Sequence, residues 1–201
     1  MKLAIRPLTP ERWPDLEALF AAKGCSVARG CWCMFYRRSG QAPPPPPGRT
    51  KAGANRAAFR KVVEAGPPPG LLAYRGKEPV GWVSLGPRED YAKLAKSPVM
   101  KPVDDRPVWS IVCFVVPSAH RGQGVAKALL AGAVAWAEKR GARLVEAYPV
   151  DTEERADAES LWFGTKSMYD EAGFTEVARR RAERPVVRLA LAHDTPREKR
   201  K

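Results

Sequence analysis

The clearest pattern in the chain is a change of hydrophobic period. Across Ile111-Val112-Cys113-Phe114-Val115-Val116 every position is apolar or a thiol and most are β-branched or aromatic, with Pro117 as a stop, which predicts a fully buried strand. A polar loop follows. Then Val125, Leu129, Ala133, Val134, Trp136 and Ala137 recur at helical spacing, while Lys127, Glu138, Lys139 and Arg140 fall off that stripe. Gly141 closes this helix, because glycine takes positive φ without a Cβ penalty. Leu144-Val145-Glu146-Ala147-Tyr148-Pro149 predicts a second strand, parallel to the first through a right-handed crossover.

The flanking pattern is weaker but orderly. Leu3-Ala4-Ile5-Arg6-Pro7-Leu8 predicts an opening strand, and Thr9-Pro10-Glu11 the capped start of a helix reaching Ala22. Residues 24–38 contain the dense patch Cys31-Trp32-Cys33-Met34-Phe35-Tyr36, read in part as the core of a short helix. A helix is predicted over 51–65 with Phe59, Val62 and Val63 inward. Residues 71–75 and 80–85, around the turn Gly76-Lys77-Glu78-Pro79, predict an antiparallel hairpin. Residues 86–107 predict an excursion over the mouth of a site. A short helix within 161–172 and strands at 174–178 and 184–191 complete an α/β (α+β) pattern. One domain over 1–193 accounts for all of it, leaving 194–201 as a basic tail expected to be disordered. The proline run 43–47 reads as a stiff surface spacer.

The segment between the buried strand and its helix carries a chemical message. The first N–H groups of a helix have no intrahelical partner and its dipole favours negative charge there, so Arg121-Gly122-Gln123-Gly124 before the helix predicts an anion site, with phosphate as the guest. Gly122 and Gly124 keep Cβ atoms out of the way. No Walker phosphate loop occurs. A dinucleotide fingerprint fails at two points: its third glycine is Lys127, and Pro117 to Arg121 intervene where it wants an immediate turn. A plain glycine-marked turn would leave Gly124 without a reason.

Composition adds bounds. The 201 residues carry Lys+Arg 35 against Asp+Glu 22, a net +13 that suits a polyanionic cofactor. It equally suits nucleic acid, but no helix-turn-helix or RNA-binding motif supports that partner. No apolar run is long enough to cross a bilayer and the amino terminus is charged too early for a signal peptide, so a cytoplasmic protein without a membrane partner is expected. Cys25, Cys31, Cys33 and Cys113 are then reduced thiols. Their spacing lacks a Cys-x-x-Cys knuckle, and no metal site is expected.

Arg121-Gly122-Gln123-Gly124-Val125-Ala126, with Val116 ahead of it, resembles the Arg/Gln-x-x-Gly-x-Gly/Ala signature of the GNAT (GCN5-related) N-acetyltransferases. Met168-Tyr169-Asp170-Glu171-Ala172-Gly173-Phe174 resembles their second motif. The resemblance implies a mixed, mostly antiparallel sheet of about six or seven strands with two splayed parallel central strands and about four flanking helices. It implies acetyl-CoA as acetyl donor and a small-molecule primary amine as acceptor, joined by direct attack in a ternary complex. A protein or peptide amine, or a noncatalytic acyl-CoA-binding module, remain alternatives, and a homodimer stays open. On this resemblance Phe114, Val115 and Val116 hold the pantetheine, and Arg121, Gly122, Gln123, Gly124, Val125, Ala126 and Lys127 the pyrophosphate. Trp32 and Phe35 become acceptor walls and Tyr169 the general acid. Glu146 is the first candidate base, with Asp104, Asp105 and Ser110 behind it, although a strand ion pair with an arginine explains Glu146 as well.

Overall fold

The computed structural model describes residues 3–40, 44–45, 47–151 and 162–191. Pro43 and Pro46 of the proline run, residues 152–161 of the acid-rich loop and the whole 194–201 tail lie outside the described residues.

The chain opens with β1 (Ala4–Pro7), a 3-10 turn over Pro10–Arg12, then α1 (Trp13–Ala21) and α2 (Ser26–Cys31). Thr9 was expected to cap the first helix. Instead its hydroxyl and the Pro7 carbonyl accept from Arg12 Nη1, at 3.3 and 3.1 Å, and the helix proper starts at Trp13. Next comes α3 (Lys51–Ala65), where Thr50 Oγ1 does cap, accepting from the Gly53 N–H at 3.1 Å. The hairpin β2 (Gly70–Arg75) and β3 (Glu78–Pro87) turns at Gly76 and Lys77 alone, because Arg75 pairs directly with Glu78 and Gly76 takes φ +63°.

Residues 88–108 form the excursion, with the one-turn α4 (Ala92–Ala95) inside it. Beyond it lie β4 (Trp109–Val115), α5 (Val125–Lys139), β5 (Leu144–Ala147), α6 (Lys166–Glu171), β6 (Thr175–Arg179) and β7 (Pro185–Ala190). Among the described residues there are six helices rather than about four, the surplus being the short α2 and α4. The seven strands make one sheet in the order β1-β2-β3-β4-β5-β7-β6, antiparallel throughout except for β4 beside β5.

Strand β4 is irregular in two ways, a bulge and an early parting from its parallel neighbour. Ser84 pairs with Cys113 and Leu85 with Ile111, so Val112 is an extra, bulged residue. The bulge resets the alternation, and Ile111 and Phe114 therefore both face α5 while Ser110, Val112 and Cys113 serve the other side. Pairing with β5 runs only from Trp109↔Val145 to Ile111↔Ala147, yet β4 continues along β3 as far as Val115. Past Ile111 the parallel strands part.

One face of the sheet is covered by α5, whose Val125, Leu129, Leu130, Ala133 and Ala137 are buried and which packs on β1, β2, β3 and β4. The other carries α1, α2 and α3 over Trp82 and Leu72, and the excursion over Val112 and Val186. Close approach of α5 depends on Gly81. A Cβ there would stand 2.5 Å from Val125 Cγ1 and 3.0 Å from Leu129 Cδ1. Gly81→Val should lower the unfolding free energy by about 1–3 kcal/mol through overpacking, read as a lower urea midpoint at unchanged slope. An unchanged midpoint would mean that the start of α5 is not seated on this glycine.

Candidate active site

The loop from Pro117 to Gly124 is held by its own side chains. Arg121 donates through Nε to the Val116 carbonyl at 3.0 Å and through Nη2 to the Gly24 carbonyl at 2.8 Å. Ser118 donates its N–H to the Lys23 carbonyl at 3.0 Å and its hydroxyl to the same oxygen at 3.2 Å. The corner between α1 and α2 is thereby fixed to the loop. Gln123 Nε2 closes it from within on the Ala119 carbonyl at 2.8 Å. Arg121 was expected to lie close to phosphate. Its guanidinium is spent on two carbonyls instead, leaving main-chain N–H groups as the donors.

Those donors are well presented. Gly122 and Gly124 have φ of +70° and +75°, and a Cβ on either would meet nothing within 4 Å, so the concave side of the loop is open. The first α5 bond runs from the Ala128 N–H to the Gly124 carbonyl, and no side chain caps the N–H groups of Val125, Ala126 and Lys127 among the described residues. Lys127 is exposed on that first turn and pairs with Glu171 at 2.5 Å.

The parted strands lie behind this loop. In the opening the Phe114 N–H donates to the Trp162 carbonyl at 2.6 Å, and Val150 bridges Thr165 beside it. Phe114 and Val116 were expected to offer free main-chain groups. The chain engages the Phe114 N–H and the Val116 carbonyl itself, while Val115 is buried and pairs with Trp82.

Glu146 is fully buried on β5. Oε1 accepts from Arg88 Nη2 at 2.5 Å and from the Tyr148 hydroxyl at 2.7 Å, and Oε2 accepts from Arg188 Nε at 2.8 Å. Asp104 holds the far side of Arg188 with contacts of 2.6 and 3.0 Å, which keeps its own carboxyl below the usual range. Ser110, also fully buried, shares its hydroxyl with Tyr148 at 3.2 Å. This is the ion-pair arrangement that the sequence left open for Glu146, enlarged to two arginines, with three donors on its two oxygens.

Tyr169 on α6 is fully buried, and its hydroxyl donates to the Phe163 carbonyl at 3.0 Å. Burial pushes its phenol far up, so it stays protonated. Trp32 is not a cleft wall: it stacks on Trp13 at 5.5 Å, packs on Phe20 at 5.1 Å and is 5% exposed. Phe35 is 53% exposed, edge-on to Tyr36, with Lys93 Nζ 3.5 Å above its ring.

Sequence reasoning missed Arg88, Arg188 and Tyr148 around Glu146, and Trp162 and Phe163 beside Phe114. A signal existed for the arginine: Arg188 interrupts Val186-Val187-Leu189 as Glu146 interrupts its own strand, and two opposite charges inside apolar strands are each other's natural partners. Nothing local marks Trp162, which reaches Phe114 only through the long return from β5.

Comparison with protein-family models matches residues 34–164 to the Acetyltransferase (GNAT) family. Among solved structures, the chain is similar to an N-acetyltransferase from Staphylococcus aureus Mu50, with 14% identity, coverage of 94% of this chain and 99% of that one, and a TM-score of 0.53. It is similar to a ribosomal-protein-alanine N-acetyltransferase from Brucella melitensis at 18% identity, 94% and 99% coverage and a TM-score of 0.51. The GNAT domain of S. lividans PAT matches at 20% identity, 93% and 89% coverage and a TM-score of 0.52. At such identities these structures show the fold. A comparison with curated proteins finds no match. No helix among the described residues is long and apolar enough to cross a membrane.

The two roles open to Glu146 separate by stability. Glu146→Gln removes the charge that two buried guanidiniums share, and should cost about 3–5 kcal/mol in denaturant unfolding. A stable protein with only kcat lost would make Glu146 a catalytic base instead.

Proposed function

Because the chain belongs to the GNAT acetyltransferase family, we propose that it is an acetyl-CoA-dependent N-acetyltransferase acting on a primary amine of a small molecule, by direct attack in a ternary complex. The observation that carries this reading is the open, uncapped amino terminus of α5 standing at the mouth of two parted parallel strands. A pyrophosphate needs several N–H donors in a concave, positive place, and Gly122 through Lys127 supply them without a Cβ in the way. When bound, acetyl-CoA supplies an acetyl thioester whose carbonyl carbon a neutral amine attacks, releasing the CoA thiolate.

The remaining work falls to the chain. Phe114, Val115 and Val116 line the track for the pantetheine arm, and admitting an amide at Phe114 requires the Trp162 carbonyl to give up the N–H it now holds. Positioning supplies most of the rate, because holding amine and thioester in register replaces a bimolecular encounter. The proton of the amine passes to water, since Glu146 and Asp104 are both engaged by guanidiniums. Tyr169 hydrogen-bonds the departing thiolate by exchanging its bond to Phe163, or passes its proton to the sulfur and is reprotonated from water, which has taken the proton of the amine. Apo geometry does not debar it, because catalytic hydrogen bonds commonly tighten only with substrate in place.

Thiol release from acetyl-CoA across a panel of amines tests the reaction; release with no amine of any class would sink it. Gly124→Glu places a side chain at φ +75° and a negative charge at the helix amino terminus, so calorimetry should show acetyl-CoA affinity reduced by about 100-fold or more. Unchanged affinity would remove the loop from the cofactor site. Tyr169→Phe should lower kcat by roughly 10²-fold with affinity for acetyl-CoA nearly unchanged. If kcat stays within about threefold, the hydroxyl serves only the Phe163 carbonyl.

A further inference from the structure

Resting on that reading, we propose that the acceptor is an amine that also carries a carboxylate, and that Arg184 is the residue that selects it. The inference starts from a row of aromatic side chains leading away from the parted strands. Trp162 touches Phe114 through its carbonyl, Phe163 is next in the chain, and Phe163 packs edge-on against Tyr148 at 6.0 Å and Tyr36 at 5.5 Å. Tyr36 meets Phe35 at 4.9 Å. The row thus runs as packed rings from beside the cofactor strand to the exposed Phe35, and includes two phenols, Tyr148 and Tyr36.

Arg184 lies on this row with its guanidinium 5.3 Å from the Phe163 ring. Its Nη1 is shut off from water and finds no hydrogen-bond partner. No carboxylate forms an ion pair with Arg184 among the described residues: neighbouring Glu183 is taken by Arg181 at 3.1 Å, and Asp151 by Arg179 at 2.6 Å. The arginines placed inside this half of the fold are otherwise matched, Arg188 by Glu146 and Asp104, Arg88 by Glu146, and Arg37 by Asp90 at 3.6 Å. A half-buried guanidinium with no ion pair among the described residues is costly, and burial accordingly lowers its pKa. Such a fork is what a planar carboxylate satisfies with two parallel bonds.

Its surroundings favour the same ligand. The Tyr36 hydroxyl makes no hydrogen bond among the described residues, and burial raises its pKa to about 12, so at neutral pH it remains a donor. Lys93 above Phe35 adds a second positive charge at the outer end of the row. A cationic acceptor would meet Arg184 and Lys93 as like charges, and the Phe163 and Phe35 rings already carry those two cations. The combination of aromatic rings and an arginine without an ion pair among the described residues fits an amino acid with an apolar or aromatic body.

The test uses matched acceptors in the thiol-release assay with the full chain: phenylalanine against phenethylamine, β-alanine against ethylamine, and ethylenediamine as the cationic member. The wild type should prefer the carboxylate of each pair. In Arg184→Gln the ratio of kcat/KM between the two members should fall by about 10²-fold, mainly through KM, with Arg184→Lys between the two. The melting temperature of Arg184→Gln should not fall, because the variant removes an uncompensated charge; a merely structural arginine would lower it. Equal use of both members, a preference for ethylenediamine, or a ratio that survives Arg184→Gln overturns the proposal and leaves acetyl transfer standing. If no amine releases thiol although acetyl-CoA binds, acetyl transfer fails instead. Equilibrium binding of phenylalanine then decides for Arg184: saturable binding lost in Arg184→Gln supports the site, and no binding overturns it.

Discussion

The structure turns on a sheet that opens in its middle. Strands normally part only at an edge, because every main-chain N–H and carbonyl removed from its neighbour has to find another partner or remain in water. Here β4 and β5 separate after Ile111 and Ala147 while both still lie inside a seven-stranded sheet. Each nearby irregularity answers that separation. The bulge at Val112 turns β4, Trp162 reaches in to accept from Phe114, and Arg121 folds back to occupy the Val116 carbonyl. What is left unanswered is the fan of N–H groups at the start of α5, the place where the proposed reading seats a pyrophosphate.

A second constraint holds the far side together. β5 is only four residues long and could not alone anchor the 88–108 excursion. Glu146 does so by charge, gripping Arg88 from the excursion and Arg188 from β7, while Asp104 returns the excursion to Arg188. Such a network adds little stability compared with apolar packing of the same volume, but removing one member strands the others. It fixes where the excursion lies.

Much of this was legible in the residues. The helix stripe from Val125 to Ala137, the glycines before it and the apolar strand before them come from period and from steric rules that act over a few residues. The hairpin and α3 were readable in the same way, while the Thr50 cap on α3 was not read. What was not legible depends on partners far apart in sequence. Trp32 in a dense aromatic patch cannot be told from a cleft wall until Trp13 and Phe20 are seen packed against it. Tyr169 looked free because the Phe163 carbonyl that accepts its proton is placed by the return from β5. Arg184 sits in a run of basic residues that reads as a solvated face, and only burial beside Phe163 distinguishes it.

The anchoring of Arg121 has a consequence for how such a loop can change over time. Because its side chain is committed to Val116 and Gly24, and Gln123 to Ala119, the concave surface is made of main chain alone. Main-chain N–H groups are the same whichever residue bears them. Recognition of an anion there, as proposed, would impose almost no demand on side-chain identity beyond the two glycines, and drift elsewhere in the loop would be filtered only by whether the staples still close. A site of this construction can persist while nearly every letter around it is replaced.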